Sequence, residues 1–425
     1  MSIYVEKIYP KVFKSNTRQK VFLKLSESNV RPDSISIKIQ PMEKYSIQHT
    51  KSHRIDEEDR YSYLTMTRTE NDEYCLDYDF TDEQRYSVKV KYLDSIISNT
   101  HIYALDEDLF ELTPYKGDTH LHTCRSDGEG TPFEVGCAYR EAGFDFIAIT
   151  DHHKFAPSLE AQKEFSSLTD KFHIFTGEEV HNKSMGYFHM INFNGKSSVN
   201  DIIETDDDYV NSQIEKIISE RGLSEMSDPY NLAYRIFVAN EIRKCGGVAI
   251  MAHPFWDCYG EYHMQTEEFI YHWQHGDFDA LEVIASCDGN GNGNNLQEML
   301  RTDMLSEGYK IPIVGSSDAH TTVPKRDTDL FNLQFTITFA KDYDDIPNAV
   351  IEERAVAVDR RDDVYFRVVG KFRYAKYARF LMWEYFPPYA KLTAKHAKAI
   401  ADKNSAEISA VEKQIKEYQN EFFAR

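Results

Sequence analysis

Thr131-Pro132-Phe133-Glu134-Val135-Gly136-Cys137-Ala138-Tyr139-Arg140-Glu141-Ala142-Gly143, followed by Phe144-Asp145-Phe146-Ile147-Ala148-Ile149-Thr150-Asp151-His152-His153, is the stretch on which the fold class turns. Thr131 and Glu134 form a capping box, and proline stands at the first helical position. The helix runs to Ala142, and Gly143 is its C-terminal cap. Phe144 to Thr150 then reads as a short buried strand. The pattern recurs. A helix near Tyr230–Lys244 ends at Gly246-Gly247 and is followed by Val248-Ala249-Ile250-Met251-Ala252. Another near Asn295–Glu307 ends at Gly308 and is followed by Ile311-Pro312-Ile313-Val314-Gly315. Repeated βα units predict parallel strands, in a barrel or an open sheet, with ligands gathered at the strand C-termini.

Upstream the grammar differs. Val21–Leu25, Ile35–Ile39, Tyr74–Phe80 and Tyr86–Tyr92 mostly alternate apolar and polar residues. Half-buried strands of this kind predict an all-β, sandwich-like accessory domain over 1–113, with a structural or docking role. The α/β domain is expected over 114–370. Beyond it, 371–425 reads as a basic helical extension split by Pro387-Pro388, with 11 Lys+Arg against 6 Asp+Glu. Ala390, Ala394, Ala397, Ala401, Asn404, Ile408, Val411, Ile415, Tyr418 and Phe422 form a heptad-like stripe. That stripe has two readings: a helix docked on its own acidic body, or the seam of a homodimer.

The 425 residues carry a formal charge of -21, with 41% hydrophobic residues. A chain this apolar buries a sizeable core, and its charge argues against binding long nucleic acid duplexes or anionic membranes. No run approaches the roughly 18–20 apolar residues of a membrane span, and the N-terminus has no apolar signal segment. Six scattered cysteines without a C-x-x-C pair fit a reduced, cytoplasmic chain.

The chemistry-bearing clusters fall at predicted strand ends. In Gly117-Asp118-Thr119-His120-Leu121-His122-Thr123, an extended strand puts His120 and His122 on one face. Asp127 follows in Ser126-Asp127-Gly128. Thr150-Asp151-His152-His153 ends the next strand. Gly177-Glu178-Glu179 comes third, with Gly186-Tyr187-Phe188-His189 downstream. Ala252-His253-Pro254 is fourth, and Ser316-Ser317-Asp318-Ala319-His320 is fifth. Imidazoles mixed with hard carboxylates suit Zn, Mn or Fe.

These ordered motifs, GDTHLHTCRSDG, ITDHH, GEEV with HMINF, MAHPF and GSSDAH, resemble those of the PHP (polymerase and histidinol phosphatase) superfamily. The resemblance covers roughly 114–370. It implies a distorted seven-stranded (β/α) barrel with two or three divalent metals at the strand C-termini, and metal-dependent phosphoesterase activity. Carried over by position, one metal is held by His120, His122, Asp318 and a bridging Glu179. A second shares Glu179 and takes His189 and His253, with His181 as the alternative to His189. A third is held by Asp127, His152 and His320. Glu179 is preferred to Glu178 because the family pattern is G-x-E. Asp151 is expected to orient its neighbours.

Paired cations lower the pKa of a bridging water, and the resulting hydroxide attacks phosphorus in line with the leaving oxygen. Asp318 therefore counts among both ligands and catalytic residues. Arg125 is the first candidate for a phosphate clamp and Lys154 the second; each is otherwise a solvated loop cation. His153 either protonates the leaving group or lines the pocket. Ser286–Asn295, rich in glycine and asparagine, is a substrate rim or a connector, and the insertion Ser197–Tyr230 is a solvated face or a cap. The expected substrate is a small phosphorylated metabolite or nucleotide phosphate ester. Two other classes compete: a non-catalytic metal-stabilised scaffold, and an amidohydrolase-type enzyme acting on a C–N bond.

Overall fold

The computed structural model describes residues 3–27, 30–43, 62–183, 188–258, 260–285, 292–323, 331–361 and 366–425. They form two compact units, one of Met1–Leu112, Arg379–Tyr389 and Lys413–Arg425, the other of Thr113–Ala378 and Ala390–Glu412.

The first unit is built on two sheets. One has the order Val5–Tyr9, Thr17–Leu25, Tyr74–Phe80, Thr67–Arg68. The other has the order Val12–Lys14, Ser95–Leu105, Gln84–Tyr92, Ile35–Pro41, Leu64–Thr65. The period-2 pattern does its expected job: Tyr86, Val88 and Val90 are buried while their neighbours are not. Val21, Leu23 and Phe80 from one sheet share an apolar cluster with Ile37, Val88 and Val90 from the other.

The second unit is mixed α/β. Parallel ladders join Thr113–Asp118 to Phe146–Ala148 and Phe146–Ala148 to His173–Phe175. Parallel ladders also join Val248–Met251 to Ala280–Ile284 and Ala280–Ile284 to Ile313–Gly315. The expectation of parallel strands throughout needs correcting. Gly177–Val180, Met190–Phe193 and Val248–Met251 pair antiparallel, as do Thr113–Asp118, Gln334–Ala340, Ala355–Asp359 and Arg367–Val369. For Gly177–Val180 and Met190–Phe193 the connection explains it: the nine residues between them are fewer than a helical crossover needs, so the second strand runs back against the first.

The described ladders do not form a closed seven-stranded ring. They make a six-stranded and a five-stranded sheet, which meet through the single parallel bridges Leu121–Ala319 and His152–Glu179. Those bridges matter for the site. Thr150 N–H donates to Leu121 O, Glu179 N–H to Thr150 O, His122 N–H to Ala319 O and Asp318 N–H to His120 O, at 2.9, 3.1, 2.9 and 2.9 Å. The motif-bearing strand ends are thereby laid side by side. Glycine permits the close approach: a Cβ at Gly117 would lie 2.0 Å from the Phe146 ring.

The helices follow their sequence signals. Pro132–Glu141 carries the capping box, with Glu134 N–H donating to Thr131 Oγ1 at 3.3 Å and Thr131 N–H to Glu134 Oε2 at 2.8 Å. Gly143 has φ +93°. The other two expected helices are Pro229–Lys244 and Asn292–Ser306. In the insertion, the acidic run sits at a helix start. Asp206 accepts from Tyr209 N–H and caps Asp207–Arg221, where acidic residues complement the helix dipole. Ser286–Gly291 of the glycine–asparagine stretch, and Gly186-Tyr187, lie outside the described residues.

Residues 371–425 contain three helices, Phe372–Glu384, Phe386–Ala401 and Ser405–Phe422. The break falls at Tyr385, and Pro387-Pro388 occupies the first turn of the second helix, where the missing N–H costs nothing. The stripe is interrupted at Asp402–Asn404, where Lys403 has φ +50°. Ile408, Val411, Ile415 and Phe422 of the stripe, read either as docked on the chain's own body or as a dimer seam, are buried within the single chain. Among the described residues no helix is long and apolar enough to cross a membrane.

Candidate metal centre

Glu179 is the hub. Its side chain is fully buried. Oε1 lies 2.7 Å from His189 Nδ1 and 3.6 Å from His253 Nε2. Oε2 lies 2.7 Å from His152 Nδ1, 3.4 Å from His120 Nε2, 3.5 Å from His122 Nε2 and 3.7 Å from His181 Nε2. Asp318 Oδ1 is 2.9 Å from His122 Nε2 and 3.2 Å from His120 Nε2. Asp127 Oδ2 is 3.4 Å from His152 Nε2 and 3.3 Å from His320 Nε2. All nine residues expected to bind metal therefore come together, and His181 joins them.

Among the described residues four overlapping sets of donors are close enough to share a cation, none of them including His189, which approaches Glu179 and His253. The sets are His120/His122/Asp318, His120/Glu179/His253, His152/Glu179/His181 and His122/Asp127/His152/His320. Among the described residues the Glu179 oxygens meet these imidazoles without a hydrogen bond of good geometry, and His122 Nδ1 and His253 Nδ1 have no hydrogen-bond partner. Buried polar atoms are normally satisfied. His253 is thus unlike an ordinary core histidine, and the donor set fits divalent cations.

The electrostatics point the same way. Burial disfavours charge on His152, yet Glu179 and Asp127 outweigh it and raise its pKa to about 10. Burial is likewise outweighed at His320, which Asp127 and Asp318 raise to about 9. Glu179 and Asp318 are held below the carboxylate range in spite of burial, by the surrounding imidazoles. Burial lowers His181 to about 4, with Glu179 opposing. The carboxylates demand positive charge, and the same field that holds protons on His152 and His320 would hold cations.

Local backbone shape serves this convergence. His153, His253 and Asp318 have φ of +57°, +22° and +49°. Left-handed conformations cost non-glycine residues about 1–3 kcal/mol and cluster at functional sites. A Cβ on Gly128 would lie 2.7 Å from the His122 backbone, so glycine lets the Asp127 loop pack against that backbone. Asp151 shapes the same loop, accepting from Thr123 N–H and Oγ1–H and from Ser126 N–H and Oγ–H at 2.6–3.2 Å. Asp118 accepts from the backbone N–H groups of His120 and Ser317, each at 3.2 Å.

The remaining candidates are placed differently. The Arg125 guanidinium pairs with Glu160 at 2.7 and 3.1 Å, on the surface. Lys154 Nζ donates to the Arg125 carbonyl. His153 is partly exposed, its ring centroid 4.5 Å from that of His181 and its Nδ1 3.9 Å from Glu204 Oε1.

No family model matches the chain, and no curated protein matches it. Solved structures do. One is a two-domain protein from Bacteroides vulgatus containing a predicted PHP-like metal-dependent phosphoesterase. It is 19% identical, with 59% of this chain and 66% of that one covered and a TM-score of 0.40. This chain thus spans slightly less than two thirds of that protein. Another is an amidohydrolase from Chromobacterium violaceum, 16% identical, with 59% of this chain and 99% of that one covered and a TM-score of 0.35.

Two residues around the centre escaped the sequence reading. Glu282 is buried in Ala280–Ile284; its Oε1 is 2.9 Å from His120 Nδ1, and its Oε2 accepts from His253 N–H at 3.1 Å. A lone carboxylate in an otherwise apolar strand was the available signal. His263 accepts from His189 N–H at 3.1 Å. It lies outside every motif, and nothing local marked it.

Proposed function

We propose that this chain is a metal-dependent phosphoric ester hydrolase acting on a small phosphorylated metabolite or a nucleotide phosphate ester. The observation that carries the reading is the ring of imidazoles around one buried carboxylate, Glu179. The ordered motifs that resemble the PHP superfamily supply the reaction class. The cations would be manganese, zinc or iron.

In this reading His120, His122, Asp318 and Glu179 hold one cation. Glu179, His189 and His253 hold a second, and Asp127, His152 and His320 a third. Bound divalent cations supply an acidified water and offset charge on the phosphoryl oxygens. Glu282 accepts the Nδ1 proton of His120 and so turns its Nε2 toward the centre. Asp151 holds the loop that carries Asp127. His153, half-exposed beside His181, protonates the leaving oxygen. Arg125 and Lys154 are outer contacts for the phosphoryl group, Arg125 exchanging Glu160 for substrate. The distorted seven-stranded barrel implied by the resemblance belongs to this reading; the bridges at 121/319 and 152/179, which join the six- and five-stranded sheets, support closure but not that strand count.

The test is product analysis on manganese-loaded protein with a generic phosphomonoester, a generic phosphodiester and a set of amides. Release of phosphate, or of alcohol from the diester, is expected. Ammonia release without phosphate-ester cleavage contradicts the proposal.

A further inference from the structure

We infer that His263 is a positioning residue that fixes the backbone of His189 for the cation group of Glu179, His189 and His253; this rests on the reading just given. His263 follows the short antiparallel pair Asp257–Cys258 and Glu261–Tyr262. Its own backbone is fastened on both sides. His263 N–H donates to Trp256 O at 2.9 Å, and Met264 N–H donates to Pro254 O at 2.9 Å. An Arg235 N–H donates to the His263 carbonyl at 3.1 Å. The imidazole is therefore presented from a fixed base, on the segment that begins with His253-Pro254.

The ring is buried, with centroid 5.1 Å from those of both His189 and His253. Its Nε2 accepts from the His189 backbone N–H at 3.1 Å. A nitrogen that accepts is unprotonated, so the proton of this neutral imidazole sits on Nδ1. Nδ1 has no partner among the described residues. The bond to His189 is thus the hydrogen bond that uses this ring. His189 lies just before the ladder that starts at Met190. The bond from His263 ties it down where that ladder has not begun, and His189 Nδ1 then reaches Glu179 Oε1 at 2.7 Å. Outer partners bonded to a ligating side chain typically change metal affinity about 10–100-fold when removed, and a partner that holds the ligand's backbone is expected to act at the lower end of that range.

The experiment titrates metal-free full-length protein with cobalt(II), reading bound metal per chain and the visible absorption. Wild type is compared with His263→Gln, whose amide oxygen can take the place of Nε2, and with His263→Phe, which keeps a ring and loses the acceptor. The thermal midpoints of the metal-free proteins are recorded alongside. His263→Phe is expected to weaken one class of cobalt site at least about tenfold, leaving the others unchanged. His263→Gln should stay within a few-fold of wild type. If His263→Phe does not fold, His263→Asn, too short to reach His189, takes its place with the same expectation. Cobalt affinities unchanged in His263→Phe overturn the inference. So does equal loss in the Phe and Gln variants, or a loss spread over all sites in step with a lowered midpoint. A wild type that takes up no cobalt overturns the underlying reading as well.

Discussion

A lone buried histidine and a cluster of buried histidines in the second unit are held in opposite ways. His396 is fully buried and accepts from Arg140 Nε–H at 3.0 Å, while its Nε2 lies 3.4 Å from Glu412. Arg140 is itself fully buried and also donates to Phe144 O, with Asp145 at 3.3 Å. Every partner there is a fixed protein group, and burial together with Arg140 lowers His396 to about 3. At the rim, imidazole nitrogens face one another instead. His122 Nε2 is 3.2 Å from His120 Nε2, and His189 Nδ1 is 3.3 Å from His253 Nε2. The first arrangement pairs the imidazole with protein groups on both sides and stabilises the fold. The second is short of positive charge, and it is the one that suits a bound cation.

The comparison can be broken at its strongest point first. Asp318→Asn should abolish turnover and lower metal content with little change in folding, since its carboxylate faces two imidazoles; near-normal hydrolysis would show that Asp318 is no ligand. Glu282→Gln should weaken cation binding about 10–100-fold by freeing His120, measured by competition with a chelator. At the other pole, Arg140→Met should destabilise the chain by about 3–5 kcal/mol in denaturant, because Asp145 and His396 lose a buried partner. Metal content of the folded fraction should not change.

The smallest effect is a slope. His396 has a folded pKa of about 3 against an ordinary value near 6.5. The folded chain therefore excludes a proton that the unfolded chain takes up. Stability from this group is complete above pH 6.5 and is lost as pH falls toward 3. His396→Asn should flatten the fall in stability over that window, read from denaturation midpoints at successive pH values. An unchanged slope would mean that His396 does not titrate with folding.

Much of the centre was legible because its residues cluster within short motifs. His120 and His122 lie just past Thr113–Asp118, not within it as expected, while His152 follows Phe146–Ala148, His253 follows Val248–Met251 and Asp318 follows Ile313–Gly315. Strand direction was less legible. Met190–Phe193 is buried on both faces, so it has no alternation to betray that it runs back against Gly177–Val180. Glu282 and His263 are defined by what they touch across 162 and 74 residues of chain, which no local pattern encodes. Arg125 was singled out because it stands next to Asp127's motif, but the structure gives it a nearby acid, Glu160, on the helix Ala156–Ser166.

The most direct test of the central claim is anomalous diffraction from crystals of the full chain grown with manganese. More than one peak within coordination distance of Glu179, Asp318 and the facing imidazoles is predicted. Ordered side chains with no peak among them would contradict the account.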